Sequence, residues 1–143
     1  MASVFDVAAY ILEKTGPVSA WKLQKLIYYS QAWVATWRDS PLFESKIEAW
    51  ANGPVCPDLY AKHRGMFKVG GISGGDASLL SESEADDVLK VVEFYSQYNG
   101  QQLSDITHAE KPWLSAREGL GPSERGNHEI TLESMSEYYG SLK

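Results

Sequence analysis

The chain has 143 residues, 43% of them hydrophobic, 12% aromatic and 22% charged, a length that suits one domain and is too short for two ordinary ones. A chain of this size buries about 68–70% of the surface its unfolded form exposes, so its core needs neither disulfides nor a structural metal. The single cysteine, Cys56, forms no internal bridge and no cysteine-pair zinc site, and it suits a reducing cytoplasm. Lys and Arg number 13 against 19 Asp and Glu, and the formal net charge of −6 is the wrong sign for a surface that must neutralise phosphates.

Residues 1–16 place Asp6 and Glu13 inside an apolar pattern without a basic leader, which reads as neither a signal peptide nor a membrane span. Instead, Ser3 with Asp6, the stripe Val4, Val7, Ala8, Ile11 and Leu12, and the stop Gly16-Pro17 write an amphipathic helix. Val18-Ser19 then caps a helix over Ala20–Trp37. Leu23, Leu26, Ile27, Ser30, Val34 and Trp37 lie on one face, and Trp21, Tyr28, Ala32 and Ala35 nearly opposite. Only a strip with Lys22, Lys25, Tyr29 and Thr36 is left for water, so this helix is expected to be central.

Arg38–Pro41 ends that helix. Leu42-Phe43 and Ile47–Trp50 are expected to pair as a small hairpin across Glu44-Ser45-Lys46, with Asn52-Gly53-Pro54 as a following turn. Pro57-Asp58 opens a helix through Leu59, Tyr60 and Ala61 towards Arg64-Gly65. Residues 66–80 carry Gly70, Gly71, Gly74 and Gly75 without a period, and predict a mobile loop with a short strand at Phe67–Val69. Ser81 and Glu84 make a capping box for a helix with Ala85, Val88, Val91, Val92 and Tyr95 inward, ending near Asn99-Gly100. A short helix follows from Leu103-Ser104 through Ile106 and His108, and Pro112 restarts the chain over Trp113–Glu118 until Gly119 and Gly121-Pro122. Finally Ile130-Thr131 caps Leu132–Leu142, with Leu132, Met135, Tyr138 or Tyr139, and Leu142 inward. The fold expected is mainly α (α+β): a single helical domain over residues 1–143 around a central buried helix, with a small antiparallel β-hairpin and a Gly-rich loop at 66–80.

The loop glycines fit neither a Walker nor a dinucleotide spacing, and His63, His108 and His128 stand apart without a metal pair, so no cofactor or metal is expected. Thr107–Trp113 brings an imidazole, a carboxylate (Glu110) and an indole close along the chain. This could in principle support acid/base work by His108 and Glu110, but the favoured reading is a His108 that fixes the interhelix turn while Trp113 fills the core. Cys56 at a helix start reads either as a thiolate or as a small buried residue. Among the 5 Trp and 8 Tyr, Trp37, Tyr29 and Tyr98 are the ones whose predicted faces leave them free.

Four segments carry a resemblance. Trp21-Lys22-Leu23-Gln24-Lys25-Leu26-Ile27-Tyr28-Tyr29-Ser30-Gln31-Ala32, Pro41-Leu42-Phe43, Ile47–Val55 and Pro57-Asp58-Leu59-Tyr60 resemble, in order and spacing, the SocA-like antitoxins with a Panacea domain, also described as phage-associated proteins. Thr107-His108 to Pro112-Trp113 and the closing helix look like the same family's second half, so the resemblance extends over nearly the whole chain. It implies a non-enzymatic cytoplasmic antitoxin, with phage defence as a role, that neutralises a cognate protein toxin encoded nearby by direct contact. Alternatives are an adaptor that delivers the toxin to a AAA+ protease and a phage-borne factor binding host machinery. No nucleic acid or membrane partner is expected. The family pattern falls on Leu23, Lys25, Leu26, Tyr28, Pro41, Leu42, Ala49, Trp50, Gly53, Pro54, Val55, Tyr60, His108, Pro112 and Trp113, most of them architectural. Specificity belongs on loops borne by a rigid scaffold, so the expected toxin-facing residues are Met66, Phe67, Val69 and Ile72, with Trp50, Asn52 and Tyr60 nearby. Glu82, Glu84, Asp86 and Asp87 read as an acidic patch for a basic toxin, or as a helix N-terminus stabilised by its dipole.

Overall fold

The computed structural model describes residues 1–142. Ser3 caps α1 (Val4–Thr15) reciprocally: its hydroxyl accepts from Asp6 N, and the Asp6 carboxylate accepts from Ser3 N at 2.8 Å. Gly16, at φ 72°, closes the helix. Ser19, in the two-residue strand β1 (Val18–Ser19), caps α2 (Ala20–Arg38).

As expected, α2 is the centre of the molecule, packed by α1, α4, α5 and α7. It is buried on more sides than its polar residues predict. Lys25 and Tyr29, expected in the solvent strip, are fully buried, whereas Trp21 and Trp37 are the aromatics that reach water. The difference lies in partners remote in sequence: the Tyr29 hydroxyl donates to Glu110 Oε1 at 2.7 Å and Lys25 Nζ donates to Pro54 O at 3.0 Å. A buried polar group with a partner is tolerated where an orphan is not.

The hairpin forms one step later than predicted. Leu42-Phe43 is not a strand, because the buried Gln31 side chain takes its backbone: Oε1 accepts from Leu42 N at 2.8 Å, and Nε2 donates to Phe43 O at 2.8 Å. The paired strands are β2 (Ile47–Trp50) and β3 (Gly53–Val55), antiparallel with Glu48 opposite Val55 and Trp50 opposite Gly53. Pro54, expected in a turn, is tolerated because β3 is an edge strand. On the other edge of β2, β5 (Glu129–Ile130) pairs Ile130 with Ile47.

Pro57 stands in the first turn of α3 (Pro57–His63). The Gly-rich segment that follows is tied to the domain near both of its ends. Its strand β4 (Lys68–Val69) pairs with β1, a 3-10 turn at Ala77–Leu79 is capped by Asp76, and Asp76 N donates to Asp6 at 2.9 Å. At Gly75 an added Cβ would stand 2.3 Å from the Phe5 carbonyl oxygen, so here the glycine allows a loop to lie against a helix.

α4 (Glu82–Tyr95) has the predicted Ser81–Glu84 capping box, but it ends at Tyr95. Asn99, read as a helix stop, is the N-cap of α5 (Gly100–His108) in a reciprocal box with Gln102. α6 (Lys111–Ala116) follows Pro112's restriction. α7 (Leu132–Gly140) is capped by Thr131 and buries Met135 and Tyr139, while Leu132 and Leu142 remain exposed and Tyr138 is half-buried. The whole is mainly α with a small antiparallel sheet, as the sequence predicts.

Candidate functional site

Two adjacent side chains of α2 organise one end of the molecule. Gln24 Oε1 accepts from Cys56 N at 2.9 Å, which turns its amide nitrogen towards Cys56 O at 3.3 Å and His63 Nε2 at 2.9 Å. Because that nitrogen only donates, His63 Nε2 accepts and the imidazole is neutral. Burial, and the Lys25 charge behind it, push the His63 pKa below its ordinary value. Lys25 has its ammonium on Pro54 O and 5.1 Å from the Trp21 ring, and burial pushes its pKa down to about 7. Gly53 is obligatory beside it: a Cβ there would stand 2.5 Å from Lys25 Cε, and its φ is 122°. Thus Gln24-Lys25 of the helix holds the Gly53–Cys56 backbone of the hairpin.

Outward from this polar wall runs an aromatic file, His63 to Tyr60 at 5.4 Å and Tyr60 to Trp50 at 5.0 Å, both edge-to-face. Trp21 stands across from it, 38% exposed, and Met66, 47% exposed, closes the rim. Trp21, Gln24, Tyr60, His63 and Met66 line a cavity of about 130 Å³. Phe67 projects beside it, 81% exposed. Its segment is pinned at both ends, by Met66 N donating to His63 O, by Ala20 N donating to Phe67 O at 2.9 Å, and by Val69, which is fully buried. The hairpin tip is braced from behind: Trp113 Nε1 donates to Trp50 O at 2.8 Å and Arg117 to Ala49 O at 2.9 Å. In front of it, Glu48, Trp50, Asn52 and Arg125 line a wider, open cavity of about 580 Å³.

A family model described as antitoxin SocA-like, Panacea domain, matches residues 23–114, which include the hairpin, the polar wall, α3 and Phe67. The chain belongs to this family. No curated protein and no solved structure matches it. The Panacea match begins inside α2 and ends in α6, so α1, Trp21 and the whole of α7 lie outside it.

In this Panacea domain the structure brings four of the sequence-predicted contact residues, Trp50, Tyr60, Met66 and Phe67, to one face, with exposed Asn52 at the hairpin tip. Val69 is an anchor rather than a contact, since it has no exposed surface, and Ile72 is half-buried against the core. The sequence pattern does not assign Trp21, Gln24, Lys25 or His63 to this face. Trp21 lies three and four residues before Gln24 and Lys25, on one side of a helix, and that spacing was the available signal.

Other predicted sites come apart or close up. His108 stacks on Trp113 at 4.1 Å, whereas Glu110 accepts the Tyr29 and Tyr139 hydroxyls at 2.7 and 2.8 Å in a separate network. The two do not share a site. Cys56 is fully buried and burial pushes its thiol up to about 11, which overturns the thiolate reading. Asp87 is buried and held by Arg38 at 2.8 and 3.0 Å, so it is not part of a free acidic patch. Trp37 is exposed as predicted, Tyr98 is half-buried and Tyr29 is buried. Among the described residues no three His, Cys, Asp or Glu side chains converge as a metal centre requires, and no helix is long and apolar enough to cross a membrane.

Proposed function

We propose that this chain is the antitoxin of a toxin–antitoxin pair acting in the bacterial cytoplasm without enzymatic chemistry, and that it neutralises a nearby-encoded protein toxin by direct contact. The family supplies the toxin partner in general terms. The observation that carries the contact reading is Phe67, a large apolar side chain 81% exposed on a segment pinned on both sides. A rigidly presented aromatic loses little freedom when a partner covers it, which is what a binding hot spot needs. The separation of His108 from Glu110 supports the non-enzymatic reading.

Co-expression with each adjacent reading frame, scored by growth and followed by pull-down, tests this. Rescue with a stoichiometric complex is expected. Rescue without a complex, accompanied by a shortened toxin half-life, replaces direct contact with delivery to a AAA+ protease, and the absence of any toxic neighbour overturns the antitoxin reading. Within a rescuing pair, Met66→Ala with Phe67→Ala should weaken the complex at least about thirtyfold, the effect of roughly 2 kcal/mol at a hot spot, with an unchanged melting temperature. Trp37→Ala with Phe94→Ala, on the exposed α2–α4 groove, should leave it intact.

A further inference from the structure

The chain carries a net charge of −6, yet its charges are unevenly placed. Neither α2 nor the segment 59–75 contains a single Asp or Glu, although these two stretches supply Trp21, Tyr60, Met66 and Phe67. Segment 59–75 instead holds Lys62, Arg64 and Lys68, all exposed. Among the described residues none of the three has a carboxylate within 4.0 Å; the ion pairs present are Arg38–Asp87 and Lys46–Glu48. Lys62 lies 5.2 Å from the Phe5 ring, Arg64 follows α3 directly, and Lys68 follows Phe67 with its side chain on the solvent side of β4. Segment 59–75 thus carries three cations and no carboxylate in a chain of net charge −6, bounded in sequence by Asp58 and Asp76, and Arg64 adjoins the cavity-lining His63 and Gly65.

We propose that this face binds an acidic segment of the partner protein, whose carboxylates meet Lys62, Arg64 and Lys68 while one apolar side chain enters the cavity between Trp21 and Tyr60. The inference rests on the antitoxin reading for the identity of the partner, and on charge complementarity for its chemistry. The cavity, about 130 Å³, is of the order of the roughly 150 Å³ known to hold a benzene-sized group, so it takes one side chain and no more. A protein segment fits better than a polyanion. Three cations neutralise few phosphates, and the remaining negative charge repels a long nucleic acid or an anionic bilayer. The three cations steer the encounter and select the partner, and Phe67 with the cavity supplies the lasting contact.

The test uses the whole chain and two short synthetic peptides with the same leucine and tryptophan residues, one filled with Asp and Glu and the other with Lys and Arg. An oligothymidylate and phosphatidylserine vesicles serve as rival anions. The acidic peptide is expected to bind, to shift the Trp21 indole N–H resonance, and to bind at least about tenfold more weakly to Lys62→Glu/Arg64→Glu/Lys68→Glu. A control reversed elsewhere, Lys14→Glu/Lys90→Glu/Lys111→Glu, should bind as the parent does, and equal melting temperatures exclude misfolding. Equal binding of both peptides, no binding of either, tighter binding of the oligonucleotide or vesicles, or an unaffected triple variant would each overturn the inference. If no neighbouring gene product is toxic, the antitoxin reading falls while the peptides still decide the charge preference. If rescue occurs and the acidic peptide is ignored, the charge inference falls and the antitoxin reading stands.

Discussion

Burying the Lys25 ammonium against one carbonyl makes the fold sensitive to pH in a definite direction. Its pKa in the folded chain, about 7, lies below the 10.5 of a free lysine, so between those values the unfolded chain binds more protons and stability rises with pH. The contribution is complete above the unfolded pKa and is lost as pH falls through about 7. The Cys56 thiol, raised from 9.0 to about 11, acts oppositely above pH 9. The clean window therefore runs from about pH 7 to about pH 9. Across it the wild type should gain about 2 kcal/mol relative to Lys25→Met, read from urea midpoints at both ends. A pH-independent difference would place the amine in contact with water.

At the level of elements, the Gly-rich segment offers a sharp contrast. Gly75→Ala drives a methyl group into the Phe5 carbonyl, whereas the same change at Gly71 meets nothing within 4 Å. Gly75→Ala should cost about 1–3 kcal/mol, and Gly71→Ala should fall within about 0.5 kcal/mol of neutral, both measured by chemical denaturation. Equal effects would mean that the loop does not lie on α1. This segment also shows which elements are legible in the sequence. Helix starts at Ser3, Ser19, Ser81 and Thr131 are written by the cap residue itself, with Asp6 and Glu84 three residues on completing boxes at Ser3 and Ser81, and local signals of that kind survive folding. Leu42-Phe43 fails because Gln31, from another element, takes its backbone. Lys25 and Tyr29 read as solvent-facing because their partners lie 29 and 81 residues away. At the candidate site, Trp50, Tyr60, Met66 and Phe67 were legible as apolar residues near turns. The polar wall of Gln24 and His63 was not, because it exists only once α3 lies against α2.

Across the whole molecule, one chain of hydroxyls ties the first half to the last helix. Tyr139 donates to Glu110, as does Tyr29, so the proton between Tyr28 and Tyr139, 2.9 Å apart, belongs to Tyr28. Glu110→Ala strands two largely buried hydroxyls and should destabilise the fold by about 2–6 kcal/mol at one to three per orphaned group. Glu110→Gln keeps an acceptor at the same place and should lose less than half of that in the same denaturation experiment. The family match stops at Leu114, before the tyrosine that completes this network.

That closure also sets an order in time. Tyr28 and Tyr139 are 111 residues apart, so during synthesis α2 leaves the ribosome long before the helix that seals its tyrosines. Until α7 arrives, the nascent chain shows an aromatic seam to chaperones and proteases. The seam around Tyr28 and Tyr29 in a newly made molecule is therefore sealed only once α7 has been made, however early the other helices form.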